Sequence, residues 1–211
     1  MQGRIPGPYP DDLTVFETMR AGPDGSIELW PLHLARLRRG CAAVGFPLDE
    51  GAVLHALRGV PRGALLRVRL AVDAAGRVAL SHARLPPNPA MWRVVIASQR
   101  LRSDDPWLRI KSSRRGVYDA ARAALAEGVD EALLLNERGE LCEGTITNIF
   151  LPRGPVLLTP PLAAGLLPGV LRESLLGSGR AKEAVLQPED LADRDFFCGN
   201  ALRGLIPAQL S

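Results

Sequence analysis

"RIKSSRRGVYDAARAAL", residues 109–125, carries four cations in its first seven positions, and one of them is a lysine. Only two of the 26 Lys and Arg residues in this 211-residue chain are lysines, Lys111 and Lys182. The two cation types differ in one useful respect: only lysine loses its proton within reach of neutral pH and attacks a carbonyl as a free amine. A position that needed charge alone would follow the chain's habit and be arginine, so Lys111 is a candidate for a required amine. Arg109, Arg114 and Arg115 surround it in sequence, and nearby positive charge lowers an amine's pKa. Lys182, in "SGRAKEA", reads as an ordinary exposed lysine, so rarity by itself leaves a solvated role for Lys111 open. After the cations the pattern is helical. Val117, Ala120, Ala121, Ala124 and Leu125 recur at i, i+3, i+4, i+7 and i+8, with Gly128 beyond the end. Lys111 therefore stands just before a helix.

Toward the C-terminus, "DEALLLNERGELCEGTITNIFL" predicts a hairpin about "NERGE". "VLLTPP" predicts a strand that leads through "LAAGLLPG" into a helix, "VLRESLLGSG". Toward the N-terminus, "LTVFETMR" and "SIELW" are β-rich runs separated by "AGPDG", which predicts another hairpin. Leu34, Leu37, Cys41 and Val44 then take helical spacing in "LHLARLRRGCAAVG", stopped by Gly45 and Pro47. "DEGAVLHALRG" predicts a short second helix. "ALLRVRLAVDAAGRVALSHARL" alternates about "DAAGR" as a further hairpin, and "WRVVIAS" supplies one more strand. The polar, irregular "QRLRSDDPWLR" is placed as the domain connection. The expected organisation is an N-terminal α+β domain over residues 1–100 and a C-terminal domain over 101–211. Strands and helices without regular βα alternation put the chain in the α+β class.

Composition narrows the function. With 46% hydrophobic residues the chain can bury a substantial core. No window approaches about 18 uninterrupted apolar residues, which argues against a membrane span. "MQGRIPGPYPDD" has no apolar signal core, so a cytoplasmic protein is expected. Cys41, Cys142 and Cys198 are an odd number without CxxC spacing, so neither a disulfide framework nor a metal site is expected, and buried thiols are. The net charge of +3 comes with 23 acidic residues interleaved along the chain, and aromatics are 5%. That pattern argues against nucleic acid, which needs a basic stripe and stacking surfaces.

Three further stretches admit a chemical reading beside a structural one. In "GLLPGVLRESLL", Gly165 and Gly169 allow close backbone approach, and the helix start favours an anion; the same letters make an ordinary lead-in turn. "CGNALRG" sets Asn200 and Arg203 between Gly199 and Gly204, as an anion-binding loop or simply a turn. In "ELCEGTITNIF", Glu143 interrupts a strand-like run. Projecting inward it needs a cationic partner such as a protonated ring nitrogen; projecting outward it is an edge-strand glutamate.

Taken in order, "FETMR", "LHLARL", "IKSSRRGVYDAAR", "NERGELCEGTITNIF", "TPPLAAGLLPGVLR" and "GNALRGLIP" resemble the fold-type IV pyridoxal-phosphate enzymes. These include the branched-chain and D-amino acid aminotransferases and aminodeoxychorismate lyase, and the resemblance runs over nearly the whole chain. It implies a D-amino acid aminotransferase-like, two-domain α+β fold, with a small N-terminal domain and a larger C-terminal sheet and helix domain. It also implies pyridoxal 5'-phosphate as cofactor, a small amino substrate and a homodimer. By position, Lys111 would be joined to the cofactor aldehyde and Glu143 would face its ring nitrogen. Arg36, the amides of Val170 and Leu171, and the Asn200 side chain would hold the phosphate. Ala201, Leu202 and Arg203 fall where relatives hold a substrate carboxylate. His33, one turn before Arg36, is assigned to packing or capping. Two positions depart from the transaminases: Leu171 replaces a hydroxyl residue, and Gly116 replaces a tyrosine that contacts the cofactor's phenolic oxygen, with Tyr118 two residues later as its substitute. "FETMR", "KSSRRGVYDAAR" and "NALRG" look most like the lyase. That implies conversion of 4-amino-4-deoxychorismate to 4-aminobenzoate and pyruvate. An amino acid aminotransferase and a non-catalytic basic binding protein on the same fold are the alternatives.

Overall fold

A computed structural model describes residues 4–192 and 194–211. Two compact units emerge. One gathers the chain up to Pro87 together with Ile110–Arg114; the other takes Asn88–Arg109 and Arg115–Ser211. Relative to a boundary at residue 100, the strand over Trp92–Leu101 lies in the second unit and the five residues around Lys111 lie in the first.

The first unit is a three-stranded antiparallel sheet ordered β1 (Thr14–Ala21), β2 (Leu66–Asp73), β3 (Val78–Arg84). Val15, Met19, Val68, Leu70 and Val72 are buried, as the period-2 alternation of β1 and β2 requires of one face. Helix α1 (Trp30–Val44) buries Leu37, Cys41 and Val44. Its Gly40 leaves room for β1: a methyl there would stand 2.8 Å from Val15 Cγ1. Helix α2 (Glu50–Arg58) is capped by the Asp49 carboxylate, which accepts from the Ala52 amide. The expected hairpin partner "SIELW" does not form a strand. Only Ile27 bridges back to Ala21, and α1 begins at Trp30, because Pro31 lacks the N–H a ladder needs and its fixed φ suits a first helical turn. The partner of β1 is β2, paired over all eight residues. The expected hairpin about "DAAGR" is β2–β3.

Segment Ile110–Arg114 lies along β1. The Phe16 amide donates to Lys111 O at 2.9 Å, Ser113 N donates to Thr14 O at 2.9 Å, and the Ser113 hydroxyl accepts from Thr14 N. Lys111 is thus set by a ladder and not by a free loop.

The second unit contains β4 (Trp92–Leu101), α3 (Gly116–Ala123), β5 (Glu131–Asn136), β6 (Leu141–Gly144), β7 (Asn148–Arg153) and β8 (Val156–Thr159). These are followed by α4 (Val170–Gly177), β9 (Ala181–Glu183), β10 (Phe196–Asn200) and β11 (Gly204–Leu210). The strands form one sheet in the order β6-β5-β4-β11-β10-β7-β8-β9. β6 and β7 are consecutive in the chain, yet four strands separate them in that order. Residues 145–147 join them directly, and the Gly144 amide donates to Thr147 O at 2.8 Å, so the sheet curls until its β6 edge meets β7. Leu133, Leu141, Ile149, Phe196, Cys198 and Ile206 fill one cluster contributed by several of these strands. All six residues of β5 are buried, which accounts for its uninterrupted apolar run: both of its faces are covered. On the other face Leu134 and Cys142 pack with Ala121 of α3. The predicted "NERGE" hairpin is β5–β6, and the three cysteines are buried and free.

Among the described residues no helix is long and apolar enough to cross a membrane, and no group of three or more His, Cys, Asp or Glu could hold a metal ion.

Replacing Leu133, 0% exposed in this cluster, by alanine is expected to lower unfolding free energy by about 2–5 kcal/mol in denaturant titration. Leu54→Ala, at 45% exposure, is expected to change it by less than about 0.5 kcal/mol.

Candidate active site

In the first unit β1 supplies the supports. Lys111 Nζ lies 4.9 Å from the centroid of the Phe16 ring, and the Arg69 guanidinium lies over the same ring at 3.5 Å. A cation over an aromatic face is held by the ring quadrupole. Lys111 is half-buried, whereas Lys182 is exposed. The next residue of β1, Glu17, is 1% exposed and takes a bidentate pair from Arg36: Nε to Oε1 at 2.8 Å and Nη2 to Oε2 at 2.5 Å. His33 Nδ1 reaches Glu17 Oε2 at 2.6 Å, and His33 is fully buried. Burial pushes the Glu17 carboxyl up in pKa; the Arg36 charge and hydrogen bonds, with His33, outweigh that and hold it at about 2. Arg36, expected at the cofactor phosphate, is therefore fixed in direction by a buried carboxylate.

In the second unit a β-bulge turns Glu143 toward its partners. Leu135 pairs with Leu141 and Leu134 with Glu143, so Cys142 is the extra residue and Glu143 shares the face of Leu134. The carboxylate is 4% exposed, which removes the edge-strand alternative. Its Oε1 accepts from the Tyr118 hydroxyl at 2.7 Å and from the Leu167 amide at 3.1 Å. Burial and the adjacent Glu143 raise the Tyr118 pKa well above its ordinary value, so the phenol stays protonated and donates. Arg109 is half-buried; burial and Arg172 lower its pKa, and Glu143 and Glu183 act in the opposite direction.

Leu167 is held at both ends, because its carbonyl accepts from Asn148 Nδ2 at 3.2 Å. Two residues on, Gly169 precedes α4 with no side-chain cap, leaving the Val170 and Leu171 amides at an open helix start. A Cβ on Gly169 would collide with Asn148 Oδ1, so a side chain there would require Asn148 to move. Asn200, at the end of β10, donates from Nδ2 to Ile146 O at 3.1 Å, while its Oδ1 accepts from the Leu202 and Arg203 amides. Arg203 and Asn88 are paired reciprocally, Nη1 to Oδ1 at 3.0 Å and Nδ2 to carbonyl at 2.8 Å. Ala201 and Leu202 occupy the turn between β10 and β11.

Within the second unit Glu143, Tyr118, the α4 start and Asn200 are thus linked through residues 144–148 and 167. Within the first, Lys111 and Arg36 depend on successive residues of β1. Phe16, Glu17, Arg69, Asn148 and Glu131 escaped the sequence reading. Glu17 left one signal: an acid at an inward position of an apolar strand, which requires a cation.

The residues suit an anionic cofactor with a basic ring: a buried carboxylate held by two donors, and a helix start at Gly169 with no side-chain cap. The chain matches the profile of the amino-transferase class IV family over residues 14–210, and it belongs to that family. The family is pyridoxal-phosphate dependent and the chain is an enzyme. A Schizosaccharomyces pombe protein named "Putative aminodeoxychorismate lyase" is 28% identical over 191 residues, covering 86% of this chain and 82% of that protein. The crystal structure of a "Putative amino-acid aminotransferase" from Mesorhizobium loti is 44% identical, with a TM-score of 0.87 over 95% of this chain and 100% of that one. The branched-chain-amino-acid aminotransferase of Escherichia coli K12 is 33% identical over 85 residues, 37% of this chain and 28% of its own length.

Because the Glu17 carboxyl is depressed from 4.5 to about 2, its stabilisation is present in full above pH 4.5 and lost as pH falls toward 2. Glu17→Gln is expected to be less stable than wild type at pH 7, with the difference narrowing below pH 4, as read by thermal unfolding across pH.

Proposed function

We propose that this chain converts 4-amino-4-deoxychorismate to 4-aminobenzoate and pyruvate, with pyridoxal 5'-phosphate joined to Lys111. The observation that carries the site is the buried Glu143 carboxylate, held by Tyr118 and by the Leu167 amide beside the open start of α4. The lyase is favoured by the "FETMR", "KSSRRGVYDAAR" and "NALRG" pattern and by the S. pombe relative's coverage of most of the chain. Glycine at 116, where transaminases carry a tyrosine, points the same way. The second reading is an amino acid aminotransferase, favoured by the name and 44% identity of the M. loti protein.

When bound, the cofactor supplies an aldehyde that takes up amines and a ring that takes up an electron pair. Lys111 is the amine held for that aldehyde and, once released, the base for the proton on the substrate carbon. Glu143 holds a proton at the ring nitrogen through a charge-assisted hydrogen bond. Val170 and Leu171 amides, Arg36 and Asn200 bind the phosphate, and Tyr118 acts through Glu143. Ala201, Leu202 and Arg203 receive the substrate carboxylate. The elimination balances without water or a redox partner. The C–O bond to the enolpyruvyl group breaks, the electron pair of the C–H bond completes the aromatic ring, and the proton taken by Lys111 passes to the leaving group as it becomes pyruvate. We further propose a homodimer.

Borohydride reduction of the pyridoxal 5'-phosphate complex followed by peptide mapping is expected to place the adduct on Lys111; an adduct elsewhere refutes the site. Aminodeoxychorismate is expected to give pyruvate and 4-aminobenzoate with no keto acid added. Amino transfer to 2-oxoglutarate in its place selects the aminotransferase, and colourless protein that binds no cofactor selects a non-catalytic role.

A further inference from the structure

Residues 145–147, Thr-Ile-Thr, make the turn that closes the curled sheet, and their types oppose it. All three are β-branched, and none is the Gly, Pro, Asn or Asp that most strongly favours a turn. Besides its own backbone bond, Gly144 N to Thr147 O, the turn is held by one carboxylate that reaches all three residues. Glu131, at the start of β5, is 0% exposed. Its Oε1 accepts from the amides of Ala132 and Thr145, both at 3.0 Å, and from the Thr145 hydroxyl. Its Oε2 accepts from the Ile146 amide at 3.2 Å and the Thr147 hydroxyl at 2.9 Å. Every residue of the turn therefore donates to one side chain. Arg122 of α3 stands 3.4 Å from Oε1 and donates to the Thr145 hydroxyl at 2.8 Å; Arg115 donates to Thr145 O at 2.7 Å.

The turn is tied to two residues assigned above to the cofactor, Glu143 two positions before Thr145 and Asn200 through the Ile146 carbonyl. Gly144 follows Glu143 directly, and a methyl on it would lie 2.8 Å from Glu131 Oε2, so the carboxylate packs against that backbone. Asn148 follows Thr147 and holds Leu167, whose amide in turn holds Glu143. Ile146 is gripped from two sides, its N–H by Glu131 and its carbonyl by Asn200.

We infer that Glu131 is the positioning residue of the site, fixing through one turn both the carboxylate for the ring nitrogen, Glu143, and the phosphate-side amide, Asn200. It touches neither cofactor nor substrate. The inference rests on the site assignment made above.

Glu131→Gln tests it, since the amide keeps the shape but turns an NH2 group toward a backbone N–H. With pyridoxal 5'-phosphate as probe, the variant is expected to bind about tenfold or more weakly, the effect of one unsatisfied buried donor. The visible absorption band of the bound cofactor is expected to change its pH dependence, and the Thr145 and Ile146 amides to exchange faster in the cofactor-free protein. Equal affinity and an equal spectrum, even with a lowered Tm, overturn the inference and leave Glu131 a purely structural residue. Should Glu131→Gln fail to fold, Thr147→Val removes one donor and keeps the charge; it is expected to weaken binding several-fold, and unchanged affinity and spectrum overturn the inference equally. A wild type with no cofactor adduct at Lys111 removes the site assignment and this inference with it. A wild type with the adduct beside an indistinguishable Glu131→Gln removes the inference alone.

Discussion

A three-residue link between strands that have four others between them in the sheet order is possible only if the sheet closes toward itself. That closure is the constraint on which the second unit depends. It brings side chains of β4, β5, β6, β7, β10 and β11 into one core, which allows β5 to be apolar on both faces. It also fixes where polar groups can go. Thr145 and Thr147 of the turn are buried, and Glu131 accepts from the Thr145 and Ile146 amides and from both threonine hydroxyls.

Buried carboxylates recur as organisers in both units, each satisfied differently. Glu17 is paired with a guanidinium and an imidazole, so its charge is neutralised by charge. Glu131 is satisfied mainly by amide and hydroxyl donors, with Arg122 at the longer distance of 3.4 Å. Glu143 has a phenol and an amide on one oxygen. Leaving such a group unpaired costs several kcal/mol, of order 3–5 when one partner of a buried pair is removed. Each carboxylate therefore dictates the placement of its neighbours, and the arginine-rich composition has a structural use: a planar fork such as Arg36 can hold both oxygens of Glu17 at once.

What was legible in the letters was whatever depends on local period. The helix after Lys111, the hairpins about "DAAGR" and "NERGE", and the helix after Gly169 all follow from spacing and turn residues. "SIELW" was misread because β-propensity is weak against a proline that starts a helix. Glu131 was invisible for another reason: its partners lie 14 to 16 residues away, across a register set by a bulge at Cys142. Periodicity cannot reveal a bulge, and a one-residue shift moves a side chain to the opposite face. The same bulge decides that Glu143 faces Tyr118.

Tyr118 shows how a departure from a family pattern can be absorbed. A methyl at Gly116 would meet nothing within 4 Å, so packing does not demand glycine where the transaminases carry a tyrosine. The phenol of this helix sits two residues later and is engaged by Glu143. Burial and the neighbouring carboxylate both disfavour its ionisation, so it serves as a donor across the physiological range. A donor on a buried carboxylate stabilises the ionised form, and an ionised carboxylate is what holds a ring nitrogen protonated. With the phenol two positions beyond Gly116, its hydrogen bond goes to a buried carboxylate of β6, and α3 is tied through it to that strand.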